Sequence, residues 1–311
     1  MREHEYETEI DTRLEGKLGF DRVRTFVADR CSTEYAVTRV TEERFSNDPK
    51  VIRERLALTD EMRLIVMFEE NFPTNGYIDC LDFLKPLEKT GYTIDILSLG
   101  KLRTMVETVR KLTNFFMSIK DGVYPNLKRM SAPVLSFPEV QRRIDQILDK
   151  FGDVKDTASD KLLEIRRAIK TKEGAISKRA NAILKQAQAD GLVDEDAGLS
   201  VRDGKLLIPV NSSSKKKIQG FVYDTSATGK TAFVEPAEII ELENEIVTHA
   251  DEAQEIQRIL AAFSDFVRPY VPDLINSAEY IGEIDFLVAK AQVALDFKAG
   301  APIISDNGEM N

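Results

Sequence analysis

The feature that most constrains the fold is an uninterrupted helical pattern from about Asp156 to Ala189. This run has no proline and one glycine, and its apolar residues recur at steps of three, four and seven. Such spacing places one apolar stripe along a helix, which at 1.5 Å per residue would be a rod about 50 Å long. A second run begins after Pro236, with a stripe that includes Ile240, Ile256 and Phe263. Two long helices therefore bracket the segment between them.

The bracketed segment has a different pattern. It contains three apolar runs, at residues 205–210, 218–224 and 231–236, separated by Gly, Asn and Ser residues. Short apolar runs separated by such turn-forming residues are typical of antiparallel strands joined by hairpins. We therefore predict a small antiparallel sheet between the two long helices.

The remaining sequence predicts a helical core. Residues from about 17 to 150 show amphipathic helical spacing with short Gly, Pro and Asn breaks. The predicted fold class is therefore mainly α with a small β-rich insertion. The expected segments are a helical core at 1–155, a first long helix at 156–190, the β-rich insertion at 191–236, a second long helix at 237–268, and a return to the helical core at 269–311.

Composition argues against several classes of function. The net charge of -10 is wrong for a chain that coats nucleic acid over its whole surface. Cys31 and Cys80 are far apart and the only histidines are His4 and His249, so we expect no zinc site, other metal site or disulfide framework. Apolar runs are short and the first residues are charged, which predicts a cytoplasmic protein without a membrane span.

Positive charge is expected in the β-rich segment alone. Between residues 200 and 235, six Lys or Arg residues stand against three Asp or Glu residues. One loop offers three serine hydroxyls beside three lysines, a combination that suits contact with phosphates. The alternative is a solvated hairpin whose lysines keep a sheet edge soluble. The candidates for nucleic-acid contact are Ser212, Ser213, Ser214, Lys215, Lys216 and Lys217, followed by Arg202, Lys205 and Lys230, whose positions depend on strand register.

No catalytic set is found in the sequence, so we expect no enzyme activity from this chain. His249 and the neighbouring glutamates fit the solvated face of a helix. The aromatic residues near the lysines, Phe221, Tyr223 and Phe233, are expected to pack in the core rather than to stack on bases.

One tripeptide is shared with nucleotide-binding loops. Gly229-Lys230-Thr231 matches the end of the P-loop signature, but Asp224 occupies the position five residues earlier, where that loop needs glycine. A strand-like run follows, whereas a P-loop is followed by a helix. We therefore expect a hairpin loop at residues 225–229, with Gly229 at positive φ, and not a nucleotide hydrolase built on Lys230.

The segment around this hairpin carries a set of residues with a distinctive spacing. They are Arg202, Gly204, Ile208, Pro209, Val210, Lys215, Lys216, Lys217, Gly220, Asp224, Ser226, Gly229, Thr231, Phe233, Glu235, Pro236, Leu242 and Asn244. This pattern resembles that of the second MutS subfamily, the bacterial MutS paralogues that lack the mismatch-reading N-terminal domain. Two departures from the family pattern are Lys205, where arginine is usual, and Thr228, where serine is usual. The similarity extends over about residues 15–311.

The resemblance implies an architecture: a helical core, two antiparallel lever helices and a β-rich clamp at their tip. The family's ATPase domain, which holds ATP and Mg²⁺, and often a small endonuclease-like Smr domain would follow Asn311. We therefore expect a fragment of a longer protein that has no cofactor of its own. The full-length protein would be a homodimer, and the fragment either a monomer or self-associated.

The resemblance also implies partners. The clamp would grip the backbone of DNA at junctions or recombination intermediates, with ATP-driven motion opening or closing it. A second reading is a quality-control factor that grips ribosomal RNA or protein on collided ribosomes and splits them. A third is a structural spacer without a ligand.

Overall fold

The computed structural model describes residues 12–46, 48–244 and 249–304. Expectations that fall on residues 1–11, on the side chain of His249 or on residues 305–311 lie outside what it describes. The chain divides into two compact units. Residues 1–155 and 260–311 form one, which we call the helical unit, and residues 156–259 form the other, which we call the sheet unit.

The chain is mainly α with one small antiparallel sheet, and this confirms the predicted fold class. The three predicted strands are found with small shifts at their ends, whereas the short strand that precedes them was not predicted. The helices are α1 (Thr12–Leu18), α2 (Phe20–Ala28), α3 (Glu34–Glu42), α4 (Pro49–Phe68), α5 (Leu81–Leu87), α6 (Ile96–Ser118), α7 (Pro125–Ser131), α8 (Pro138–Ile147), α9 (Asp160–Ala189), α10 (Ala237–Asn244), α11 (His249–Val267) and α12 (Val271–Asp296). The strands are β1 (Ser200–Arg202), β2 (Lys205–Asn211), β3 (Gly220–Thr225) and β4 (Thr231–Pro236).

Helix α12 lies at the centre of the helical unit. It packs against α2, α3, α4 and α5 and buries side chains on most of its faces, as a core helix does. Its buried carboxylate, Asp285, accepts three hydrogen bonds of 2.8 Å, from the backbone N–H groups of Ser32 and Thr33 and from the Thr33 hydroxyl. These bonds offset the desolvation of the carboxylate and fix the start of α3 on α12.

Helix α9 is long because no break signal interrupts it between two caps. The Ser159 hydroxyl begins it by accepting a hydrogen bond of 3.0 Å from the Leu162 backbone N–H. Gly191, with a φ of 67°, ends it. The Leu192 N–H then donates to the Ala187 carbonyl at 2.9 Å, as in a Schellman motif. The first long helix is therefore specified by local sequence.

The second long helix, predicted at 237–268, is described in two parts. Helices α10 and α11 cover most of it, and residues 245–248 between them lie outside the described residues. Within the sheet unit, α11 is joined to the start of α9 by Arg166, whose guanidinium donates to Glu252 at 2.7 Å and to Asp156 at 2.5 Å.

The sheet has the strand order β1-β2-β4-β3 and is antiparallel throughout. Because side chains alternate across a strand, one face of β2 and β4 presents Ile208, Val210 and Val234 to the core. These residues pack against Leu184 and Ala187 near the end of α9. The sheet is therefore attached to the C-terminal end of a long helix.

Candidate nucleic-acid interface

Two loops meet at one end of the sheet. We call them the tip loops: residues 212–217, between β2 and β3, and residues 226–230, between β3 and β4. The Ser212 backbone N–H donates to the Lys230 carbonyl at 2.9 Å, and the Ser212 hydroxyl donates to the Gly229 carbonyl at 2.6 Å. The pairing of Asn211 with Thr231 brings the loops to this position. Lys230 is therefore placed beside the serine and lysine loop.

The tip loops carry positive charge without compensation. They contain Lys215, Lys216, Lys217 and Lys230 and no Asp or Glu. All four lysines are exposed, and none forms an ion pair with any residue that the structure describes. This arrangement leaves four ammonium groups free to meet an anion from solution.

The three serines have different roles. The Ser212 hydroxyl joins the two tip loops and is thus partly used by the fold. Within the described residues, the hydroxyls of Ser213 and Ser214 make no hydrogen bond, so both can donate to a ligand. Ser213 is exposed and Ser214 is half-buried.

The loop that contains Gly229-Lys230-Thr231 is a hairpin, as predicted. Strands β3 and β4 pair on either side of it, and Gly229 has a φ of 68°. The Ser226 hydroxyl accepts a hydrogen bond from the Thr231 N–H at 3.1 Å. Since Thr231 begins a strand, no helix follows this loop, and the loop does not have the loop-to-helix geometry of a P-loop.

Arg202 and Lys205 have partners inside the sheet unit. The Arg202 guanidinium lies 3.7 Å from the centre of the Phe233 ring and forms an ion pair with Asp224. The Lys205 ammonium donates to both carboxylate oxygens of Glu235, each at 2.7 Å. Glu235 is only 2% exposed, and its hydrogen bond raises the pKa of Lys205.

Their charge is therefore neutralised locally. The structure brings Lys230 together with the serine and lysine loop, but it gives Arg202 and Lys205 carboxylate partners that the tip lysines do not have. As candidates for nucleic-acid contact these two are weaker than the tip loops.

The aromatic residues of the sheet differ from expectation. Phe221 is 61% exposed on the edge strand β3, so its predicted place in the core is wrong. Tyr223 and Phe233 are half-buried, with the Tyr223 hydroxyl donating to Asp203. An edge strand has a neighbour on one side only, which explains why its side chains are less covered than apolar alternation suggests.

The expectation that only the β-rich segment is basic is also wrong. Helix α9 contains eight Lys or Arg residues against three Asp or Glu residues, whereas α10 contains three glutamates and no Lys or Arg. The whole-chain charge conceals this contrast. Counting charges helix by helix along the printed sequence would have revealed it.

Other kinds of site have little support in the residues that the structure describes. No group of three or more His, Cys, Asp or Glu side chains is arranged there to hold a metal ion. Burial raises the pKa of the Cys31 and Cys80 thiols to about 12, so neither is a thiolate at neutral pH. None of the described helices is both long enough and apolar enough to span a membrane.

Comparison with curated proteins identifies relatives along nearly the whole chain. It is 29% identical over 302 residues to "Endonuclease MutS2" of Listeria innocua, a match that covers 96% of this chain and 38% of that protein. The protein of the same name from Geobacillus sp. strain WCH70 is 28% identical over 302 residues. The chain is MutS2-like.

The MutS2-like chain is also 28% identical over 294 residues to "Endonuclease MutS2" of Geobacillus thermodenitrificans. It spans between 37% and 38% of the length of these relatives. No protein-family model matches it.

Proposed function

We propose that the sheet unit of this MutS2-like chain is a clamp carried on lever helices, and that its tip loops grip nucleic-acid backbone. The observation that carries the proposal is the set of four exposed, unpaired lysines that two loops bring to one end of the sheet. Affinity for nucleic acid comes largely from cations that replace counterions at phosphates, and the tip loops offer such cations and contain no Asp or Glu.

The chemistry of the tip loops favours binding without sequence preference. Lysine contacts phosphate as a point charge, and the Ser213 and Ser214 hydroxyls add further donors. The loops contain no Arg, Asn or Gln, the residues that most often make paired hydrogen bonds to base edges. They also contain no aromatic residue on which an unpaired base could stack. DNA at junctions or in duplex form is therefore the proposed ligand.

We assign the clamp a mechanical role and no catalysis. Helix α9, with α10 and α11, would carry rigid-body motion between an ATPase region of the longer protein and the clamp. ATP and Mg²⁺ would bind in that region, and the longer protein would act as a cytoplasmic homodimer. This assignment follows from the resemblance to the second MutS subfamily, and the printed name of the relatives, "Endonuclease MutS2", agrees with that resemblance.

Binding of a fluorescein-labelled 30-base-pair duplex, measured by anisotropy, tests the proposal. The tip variant replaces Lys215, Lys216, Lys217 and Lys230 with glutamine. Lowering the salt from 1 M to 0.1 M strengthens binding about tenfold for each phosphate contact. At 0.1 M salt the loss of two contacts should therefore weaken binding about a hundredfold, and the loss of more contacts should weaken it further.

The matched control replaces four exposed cations of the helical unit and changes the net charge equally. This core control carries Lys101→Gln, Arg110→Gln, Lys120→Gln and Lys150→Gln. It should bind the duplex within about twofold of the wild-type chain, because these side chains are far in sequence from the tip and outside the sheet unit. Equal weakening of both variants would show an effect of overall charge and would overturn the proposal.

Competition separates DNA from the ribosome as the target. Unlabelled duplex and purified bacterial ribosomes are added in turn to the complex of the chain with labelled duplex. Displacement by duplex at lower concentrations than by ribosomes supports the assignment to DNA. The reverse order would replace DNA with ribosomal RNA or protein as the ligand of the same tip.

A further inference from the structure

Four cations of α9 lie on one face of the helix. Arg167, Lys170, Lys178 and Lys185 follow one another at steps of three, eight and seven residues. At 3.6 residues per turn these positions fall within an arc of about 80°. Buried residues such as Ile176 lie on the opposite side. We call these four residues the α9 stripe.

The stripe is not neutralised by the fold. Among the described residues, none of its four cations forms an ion pair or a hydrogen bond through its side chain. The stripe also contains no carboxylate between its first and last members, where the exposed positions on this face include Thr171, Gly174, Asn181 and Ala182.

The remaining cations of α9 do have partners, so the unpaired cations of this helix are confined to the stripe. The paired cations lie on other faces of α9. The Lys161 Nζ lies 3.8 Å from a carboxylate oxygen of Glu255, and Arg166 forms an ion pair with Glu252. Arg179 is paired with Glu238 of α10, and Lys172 also makes an interaction. The cations that pair within the sheet unit are therefore different residues from the four stripe cations, which face solvent.

One groove lies beside both the stripe and the first tip loop. It has a volume of about 530 Å³ and is lined by Ala182 of α9 and by Lys217 of the first tip loop, and its lining also includes Asp190 and Glu238. Ala182 lies between Lys178 and Lys185 along α9. One ligand can therefore reach the tip and the end of the stripe across a single groove.

The dimensions suit a duplex. Eighteen residues separate the first and last stripe cations, a rise of about 27 Å. That length corresponds to about eight base pairs at about 3.4 Å each. A duplex of this length is a stiff rod that can lie along a straight helix. Single strands, by contrast, bind where aromatic residues accompany the cations, and α9 contains none.

We propose that the α9 stripe is a second phosphate-binding surface, which holds duplex nucleic acid along the lever while the tip loops hold it at the clamp. The inference rests on the proposed function of the tip loops and extends the binding surface to a helix for which the family resemblance implies only a mechanical role. The occupant is recognised by its regularly spaced phosphates and not by its bases.

Protection of lysines from acetylation tests the stripe separately from the tip. The wild-type chain is treated with an acetylating reagent with and without saturating 30-base-pair duplex, and each lysine is quantified by mass spectrometry. Modification of Lys170, Lys178 and Lys185 should fall about threefold or more when duplex is bound. Lys101 and Lys120 of the helical unit should not change.

A variant with Arg167→Gln, Lys170→Gln, Lys178→Gln and Lys185→Gln provides the affinity measurement. Glutamine retains helix propensity, and circular dichroism should confirm unchanged helicity. The variant should bind the duplex at least about tenfold more weakly, whereas the core control of equal charge change should not.

The outcomes distinguish the two proposals. Protection at Lys215, Lys216 and Lys217 without protection at the stripe would overturn this inference and leave the proposed function intact. Protection at neither set would overturn both. Protection at both sets, with weaker binding by the stripe variant, is the result expected.

Discussion

A buried carboxylate on α11, next to the start of α9, gives a stability prediction with a definite pH dependence. Glu255 is 1% exposed. It accepts hydrogen bonds from the Ser159 hydroxyl at 2.7 Å and from two nitrogens of Arg258, at 2.6 and 2.9 Å. The hydrogen bonds with Arg258, followed by the bond from Ser159, lower the pKa of Glu255 from 4.5 to about 2. The ionised carboxylate thus stabilises the join between α9 and α11.

The contribution of this carboxylate to the free energy of unfolding follows from the difference between its folded and unfolded pKa values. Each pKa unit corresponds to about 1.4 kcal/mol, so a fall from 4.5 to about 2 sets a ceiling of about 3.5 kcal/mol. The partner Arg258 is 61% exposed, and solvent screening reduces the expected contribution to about 1–2 kcal/mol. Because the folded-state pKa is the lower one, this stability is complete above about pH 4.5 and is lost as the pH falls toward 2.

Urea unfolding of Glu255→Gln tests this reasoning. The variant should be less stable than wild type by about 1–2 kcal/mol at pH 7, and the difference should become small near pH 2. Glu164→Gln, at an exposed position of α9, is the control and should change stability by less than about 0.5 kcal/mol. A difference between Glu255→Gln and wild type that stays constant from pH 7 to pH 2 would refute the argument.

Three further predictions address the sheet, the core and the hairpin. Lys205→Met should destabilise the chain by about 1–3 kcal/mol in urea, because it leaves Glu235 buried without its cation. Duplex affinity should change less than about twofold. A large loss of affinity at unchanged stability would restore Lys205 as a contact residue. Gly282→Ala should destabilise the chain by about 1–3 kcal/mol despite the higher helix propensity of alanine. The added Cβ would lie 2.9 Å from the Cβ of Tyr35 and closer still to the Tyr35 ring. Increased stability would contradict the observed packing. Millimolar ATP or GTP should leave the melting temperature of this chain unchanged, and a clear rise would show a nucleotide site that the hairpin geometry does not support.

Local signals in the sequence were sufficient to predict the long elements. The apolar repeat, the cap at Ser159 and the glycine at position 191 specify α9 within a few residues, because helix ends depend on neighbouring residues. Turn residues likewise placed β2, β3 and β4. Strand β1 was missed because its three residues, Ser200–Arg202, are too few to show alternation.

The site was predictable only in part, because its assembly is non-local. The exposed lysine loop could be read from consecutive residues. The position of Lys230 beside it follows from the pairing of Asn211 with Thr231. The partners of Arg202 and Lys205 lie 22 and 30 residues later in the chain, and only the folded sheet brings them together. A side chain's type indicates what it can bind, and its neighbours decide whether it is already bound.

The salt dependence of duplex binding tests the central claim most directly. The logarithm of the association constant is measured against the logarithm of salt concentration for the wild-type chain, the tip variant and the core control. Each phosphate contact contributes about 0.9 to the slope, so the loss of four tip lysines should make the slope shallower by up to about 3.6. The core control should retain the wild-type slope. If the wild-type chain and the tip variant have the same slope, the tip loops do not hold nucleic-acid backbone.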